Sequence, residues 1–397
     1  MIIKKKSKKL LPLLKYPGGK EKELKYILPN LPNACKNYYE PFVGGGAVYF
    51  SLDSDTYYIN DKSTELINLY RMIKTQNVEF LEKLRGIDHN WTNMEQVIAG
   101  DIDDLVHIYS NYKNDIVEKQ QLDDTISEFV SNNAEKLNGL LADGFDVAKE
   151  NFIEELNNSI KNKIVRMKKL ELKKGDLSLE DVVLNLEGAF KNAYYMHFRY
   201  LYNRIEEFSI HVPSATAIYF FVREFCYSSM FRYNRQGKFN VPYGGISYNK
   251  KSILKKVQYF TDSELVRQLS NTVIENMDFE DFFKVHVPQK NDFVFLDPPY
   301  DTEFSTYAKN AFEQQDQIRL ANFLIQKCKA NFMLIIKNTD FIRSLYPEGQ
   351  KTANKGVVHV GKFDKKYMVS FQDRNDKEAE HLLITNYPIG TVNGSSI

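Results

Sequence analysis

The stretch FVFLDPPY, Phe293 to Tyr300, reads as a buried strand that stops at an acid. Four apolar residues in a row suit a strand covered on both faces. Asp297 then meets two prolines, which lack the N–H needed to extend a helix or a sheet ladder. The first of them also steers Asp297 away from the helical region. A tight strand exit accounts for such a junction standing alone. So does a site that needs the Asp297 carboxylate, the Pro298 carbonyl and the Tyr300 ring held rigidly at a strand's carboxyl end, with Pro299 completing the lock.

Working outward, NFMLIIK (331–337) and HLLITNY (381–387) are strand-like, and Phe312, Ile318, Leu320 and Leu324 have helical spacing. Upstream, YYIND (57–61) runs extended into Asp61, and STELINLY (63–70) opens with a cap residue and continues at helical spacing. Strands alternating with helices predict an α/β domain with a parallel sheet and helices on both faces. Between residues 76 and 190 the texture changes: proline disappears and helix formers dominate. Ile126, Phe129, Val130, Ala134, Leu137, Leu140 and Leu141 fall on one helical face, as do Phe152, Ile153, Leu156, Ile160 and Ile164. The pattern breaks at Gly175 and restarts at Ser178. The simplest reading is one α/β domain interrupted by a long helical insertion.

With 397 residues the chain can bury a sizeable core, and the three cysteines, Cys35, Cys226 and Cys328, have neither disulfide-framework nor metal-ligand spacing. No apolar run approaches the 18 or so residues of a membrane span. The basic start is followed by an apolar stretch too short for a signal peptide. These features predict a soluble, cytoplasmic protein. A net charge of +1 does not announce a nucleic-acid partner. The basic patches KKKSKK (4–9), KNKIVRMKKLELKK (161–174) and NKKSILKK (249–256) are compatible with one, and equally with solvated helix faces.

In YYEPFVGGGAVYF (38–50) a short strand runs into Gly44-Gly45-Gly46 and a helix-like segment. Glycines there admit a ligand close to the backbone. Asp61, ending the next strand, stands where an acid would bind ribose hydroxyls. Tyr49 occupies the place of the third glycine of a dinucleotide fingerprint, which argues for a nucleoside ligand without a pyrophosphate. Just upstream, KYPGGK (15–20) offers the Tyr16 ring and the Lys20 cation beside an adaptable turn; an exposed loop explains it as well.

Taken in order, KYPGGK, EPFVGGG, YYIND, RYNRQGKFNVPYG, NMDFEDFF (276–283), FLDPPY and LLITNY resemble the Dam-like, alpha-group DNA adenine amino-methyltransferases over about 1–75 and 191–390. The resemblance implies a class I, Rossmann-like methyltransferase sheet with a mostly helical inserted target-recognition region. It divides the chain into a first core part (1–75), the helical insertion (76–190), a target-recognition region with a DNA-probing hairpin (191–275) and a second core part (276–397). It implies S-adenosyl-L-methionine as cofactor and double-stranded DNA as partner, with a cognate restriction endonuclease as a protein partner to test for. Asp297 and the Pro298 carbonyl would accept from the two N–H groups of the adenine amine, and Tyr300 would stack on a base taken out of the duplex. Tyr16 and Lys20 would face the methionine part of the cofactor, and Glu40, Pro41, Phe42, Gly44 and Gly46 would form the wall of the glycine turn. Asp61 would hold the ribose, Asp278 and Phe279 would flank the cofactor adenine, and Asp297 would lie beside the methyl. Asp278 also reads as an ordinary helix cap. In the hairpin, Arg232, Arg235, Lys238 and Asn240 would contact DNA, Tyr233 would wedge into the stack, and Asn234 would pair with the orphaned base. A hairpin whose aromatics pack inward is the alternative. The stretch REFCYSSMF (223–231) lacks the asparagine-glycine turn the family leads one to expect. An RNA adenine methyltransferase and a catalytically inactive DNA-specificity module remain as rival readings. A protein-glutamine methyltransferase would show Asn-Pro-Pro-Tyr instead.

Overall fold

A computed structural model of the chain describes residues 4–5, 10–16, 18–141, 144–299, 312–366 and 378–390. The chain forms two units, Met1–Lys74 with Asp262–Ile397, and Thr75–Thr261.

The first unit is centred on a sheet of seven strands, β1 (Asn37–Glu40), β2 (Thr56–Asn60), β3 (Thr272–Glu275), β4 (Phe293–Leu296), β5 (Asn331–Lys337), β6 (His359–Lys366) and β7 (Glu378–Thr385). They lie in the order β3-β2-β1-β4-β5-β7-β6. The pairs β3/β2, β2/β1, β1/β4 and β4/β5 are parallel, and β7 runs antiparallel to both β5 and β6. This is the doubly wound class I sheet expected from the resemblance. All four residues of β4 are buried, which explains their unbroken apolar run. Val294 and Leu296 share one core with Tyr39, Phe282, Leu320, Leu324, Phe332 and Leu334. Burying each such side chain is worth about 1.5–3 kcal/mol, so the centre of the sheet is the best-anchored part of the unit.

Two strands of this sheet escape a sequence reading, β3 and β6, and both are edges. Edge strands carry polar side chains that blunt unwanted pairing, and HVGKFDKK in β6 does so densely enough to hide its apolar positions.

The second unit is helical, with Val78–Ile98, Ile102–Lys113, Lys119–Asn132, Lys149–Lys174, Leu179–Tyr202 and Val212–Phe225 as its main elements. The expected restart is present: Gly175 closes one long helix at φ 91°, and the Ser178 side chain accepts from the Asp181 N–H to open the next. The expected single face from 126 to 141 is instead broken after Asn132. Asn133 turns its amide back onto the Phe129 carbonyl at 3.0 Å and ends the helix. The expected boundary at residue 190 falls inside the helix Leu179–Tyr202, and residues 262–275 group with the sheet rather than with the helices. The change of composition near 190 marks a change in what this helix buries, not its end. Trp91 centres the unit, fully buried among Tyr194, Phe221, Phe225 and Tyr243.

Candidate active site

Because β1 to β4 are mutually parallel, their carboxyl ends face one rim of the sheet. Glu40 closes β1, and Asp61 follows β2, Asp278 follows β3 and Asp297 follows β4 on that rim. The strand order reverses at β1, the place where open α/β sheets take ligands.

Asp297 forms an ion pair with Lys20, whose side chain is only 3% exposed. The same ammonium donates to the Gly18 carbonyl at 2.9 Å. Buried, it takes the nearest carboxylate, since an unpaired charge out of water is costly. Pro298 is buried and Pro299 exposed, and the Pro299 carbonyl accepts from Gln317 Nε2 at 3.2 Å. Tyr300 lies outside the described residues.

Glu40 is buried and accepts from the Tyr38 hydroxyl at 2.7 Å. Burial pushes its carboxyl well above the usual range, and nearby Asp297 adds to the effect. Of the glycines, Gly44 (φ 48°) lies under the Tyr16 ring, where a Cβ would meet Cδ1 at 3.1 Å. Gly46 is glycine for a different reason than ligand approach: a Cβ there would meet the Tyr70 hydroxyl at 2.5 Å and the Phe50 ring at 2.8 Å. Tyr70 also donates to the Gly44 carbonyl at 3.0 Å, so the turn is held from inside.

The Asp61 carboxylate accepts from the Gly44 N–H at 3.1 Å and the Ser63 N–H at 2.9 Å, which ties the glycine turn to the end of β2. Burial raises its carboxyl in spite of these two donors. Asp278 is a helix cap, as one reading held, accepting from the Glu280 N–H at 3.0 Å. It is also gripped by both terminal nitrogens of Arg319, at 3.1 and 3.2 Å. Burial alone would raise the Asp278 carboxyl, but the Arg319 guanidinium and the Glu280 N–H hold it below its ordinary value. Arg319 further reaches Glu280 at 2.8 Å and Asp316 at 2.7 Å, and lies 4.8 Å from the Phe279 ring centre. Phe279 is buried, with Phe42 and Phe312 at 5.7 and 5.8 Å between ring centres. Pro41 is buried, and its carbonyl accepts from Asn60 Nδ2 at 3.0 Å.

Three residues that carry this arrangement went unnoticed in the sequence. Asn60 bonds Pro41 and both polar backbone atoms of Met277, joining the exits of β1 and β3. Arg319 and Gln317 sit on the helix Gln314–Gln326, where a polar residue reads as surface until the buried face is known. Asn60 had one signal, its place directly before Asp61 at a strand end.

Within the helical unit, the expected DNA-probing stretch is a hairpin closed by the bridge Tyr233↔Phe239. Tyr233 is not a wedge. Its ring is 9% exposed, packed against Phe231 and Phe239, with its hydroxyl 3.0 Å from that of Tyr202. Asn234 is likewise spent on the turn, its Oδ1 accepting from the N–H groups of Gln236 and Lys238 at 3.0 and 2.9 Å. A five-residue loop leaves its aromatics a choice of face, and here they took the apolar one. Arg232, Arg235 and Lys238 are exposed, and Arg232 Nε donates to Asn240 Oδ1 at 2.9 Å.

Several known proteins share this sequence pattern. Type II methyltransferase M.MjaIII of Methanocaldococcus jannaschii is 28% identical over 391 residues, covering 95% of this chain and 99% of that protein. Type II methyltransferase M.CviBI of Paramecium bursaria Chlorella virus NC1A is 33% identical over 173 residues, or 43% of this chain and 60% of the viral protein. A DNA adenine methylase of Vibrio cholerae is 23% identical over 369 residues, covering 89% and 92% of the two chains. Residues 16–179 and 178–360 match a family that takes in both the glycine turn and the Asp-Pro-Pro exit, and the chain belongs to it: the D12 class N6 adenine-specific DNA methyltransferases.

Proposed function

We propose that this DNA adenine methyltransferase takes its methyl group from S-adenosyl-L-methionine and delivers it to the exocyclic amine of an adenine flipped out of duplex DNA. The observation that carries this reading is the rigid Asp297-Pro298-Pro299 exit, set on the carboxyl rim beside the glycine turn and anchored through Lys20. The rim suits a nucleoside that bears a diol, an amino group and no phosphate. It presents the carboxylates of Asp61 and Asp278 and the rings of Phe42 and Phe279, and its acids would repel a pyrophosphate.

When bound, the cofactor supplies an electrophilic methyl group on a sulfonium. Asp61 would hold its ribose hydroxyls, Asp278 and Phe279 its adenine, and Tyr16 with the segment Glu40 to Gly46 its remaining flank. The target amine is a poor nucleophile because its lone pair is conjugated into the purine. Asp297 and the Pro298 carbonyl answer this by accepting from its two N–H groups, which localises the lone pair and aims it. Lys20 anchors the Asp297 carboxylate through Oδ2 and so fixes its direction at the strand exit. Tyr300 is assigned the stacking face for the extruded base from its sequence position. Arg232, Arg235 and Lys238 are assigned phosphate contacts, and Asn240 steadies Arg232. Among the described residues no helix is long and apolar enough to cross a membrane, in keeping with a cytoplasmic place of action. The names of the type II relatives make a cognate restriction endonuclease the partner to look for.

The test is methyl transfer from labelled S-adenosyl-L-methionine to unmethylated genomic DNA, followed by mapping of the modified positions. Label on adenine within one short recurring word is expected. The Asp297→Ala variant should lose roughly a hundredfold or more in rate with its fold intact. Label on RNA in preference to duplex DNA, or an unchanged rate in the variant, overturns the reading.

A further inference from the structure

The Asp-Pro-Pro exit is held at both ends, and the downstream hold is unusual. Gln317 faces the core: with Leu320, Ala321 and Leu324 it forms the buried stripe of the helix Gln314–Gln326, and it is 0% exposed. Its Nε2 donates to the Pro299 carbonyl at 3.2 Å, while its Oε1 has no hydrogen-bond partner among the described residues. A buried acceptor left unpaired is destabilising, and an apolar side chain would fill this position at less cost. Pro299 is exposed, so its carbonyl could turn to water instead. Packing alone does not account for an amide of which only the donor half is used.

Chain mechanics supplies a reason. The two prolines lock their own φ angles, so few soft torsions remain between Asp297 and the Pro299 carbonyl. β4 fixes the upstream end through its ladders to β1 and β5. A single hydrogen bond downstream then sets the direction of the Pro298 carbonyl in between. We propose that Gln317 is a positioning residue that aims the Pro298 acceptor at the substrate amine, an inference that rests on the function proposed above.

The experiment compares the full-length protein with Gln317→Met, Gln317→Glu and Asp297→Ala, measuring kcat, KM for duplex DNA, cofactor Kd and Tm. For Gln317→Met, kcat falls tenfold or more, cofactor Kd stays within twofold, and Tm is unchanged or higher. Gln317→Glu can donate only when protonated, and burial raises its carboxyl, so its kcat relative to the parent falls as rising pH ionises it. The proposal is overturned if Gln317→Met keeps kcat within twofold, or if its loss of rate only tracks lost folding or lost cofactor affinity. Should Gln317→Met not fold, a Gln317→Glu variant that keeps parental kcat at the high-pH end, where its carboxyl is ionised and cannot donate, overturns it equally. Asp297→Ala, which removes the acceptor altogether, separates the two levels. If it retains the parental rate, the acceptor reading itself fails; if it is inactive while Gln317→Met is normal, only the role of Gln317 falls.

Discussion

Arg319 shows how one side chain serves several ends at the rim. Its guanidinium bridges Asp278, Glu280 and Asp316 and stands over the Phe279 ring, so the helix cap and the aromatic wall move together or not at all. Asp278 alone could cap its helix without help, since one oxygen accepting from the Glu280 N–H suffices. The two-pronged grip of Arg319 does something further, fixing the plane of the carboxylate as paired donors do. An acceptor held in a fixed plane beside a ring is what recognition of an adenine edge requires. In Arg319→Met the carboxylate would swing and its carboxyl would rise towards its ordinary value. Cofactor Kd should increase about tenfold, near 1.4 kcal/mol, with kcat at saturating cofactor little changed. Calorimetric titration with S-adenosyl-L-methionine reads this directly, and an unaltered Kd would remove Arg319 and Asp278 from the cofactor site.

At the level of elements, the stretch REFCYSSMF, which lacks an asparagine-glycine pair, still forms a tight turn. The Met230 N–H bonds the Tyr227 carbonyl at 3.1 Å, and the central pair Ser228 and Ser229 have φ of 53° and 51°. Two successive positive φ values are the mark of a type I′ turn, which asparagine and glycine adopt with least strain. Serine has no such tolerance, so the turn ahead of the hairpin is strained. The double change Ser228→Asn with Ser229→Gly should stabilise the protein by about 1 kcal/mol, a rise in Tm of roughly 2–4 °C. A thermal melt that is unchanged or lower would show the turn to be relaxed already. The same elements mark what a sequence reveals. Strands buried on both faces announce themselves, as β4 and β5 do, and long amphipathic helices announce theirs, as Lys149–Lys174 does. Rim residues at strand ends, Asp61 and Asp297, could be read because strand termini punctuate the pattern, whereas Glu40 came only with the resemblance. Gln317, Arg319 and the inward turn of Tyr233 could not, because each depends on which face of a short element meets the core, and tertiary packing decides that.

For the whole molecule, the division into a sheet unit and a helical unit places the titratable groups of the two cores in different surroundings, and acid should probe the helical core through His197. This residue is fully buried, and its Nε2 donates to the Phe145 carbonyl at 3.1 Å. Burial pulls its pKa down from 6.5 to about 4, although the Phe145 bond works the other way. A depressed histidine stays neutral in the fold while the unfolded chain takes up a proton. Stability is therefore fully present above about pH 6.5, falls as pH drops below that value, and levels off near pH 4. The shift corresponds to about 3 kcal/mol at the acid end. His197 packs on Phe152, Phe152 on Tyr194, and Tyr194 on Trp91, with ring centres 5.6, 6.2 and 6.0 Å apart. Trp91 is the single tryptophan of the chain, so its fluorescence reports unfolding of this core without interference from the sheet unit. Denaturant titrations followed at Trp91 should show the parent losing stability between pH 6.5 and 4. In His197→Gln, which keeps a donor for Phe145 but cannot titrate, that acid loss should shrink by about 3 kcal/mol. Parallel pH profiles for the two proteins would mean that His197 titrates alike folded and unfolded, and that other groups set the acid limit of the helical core.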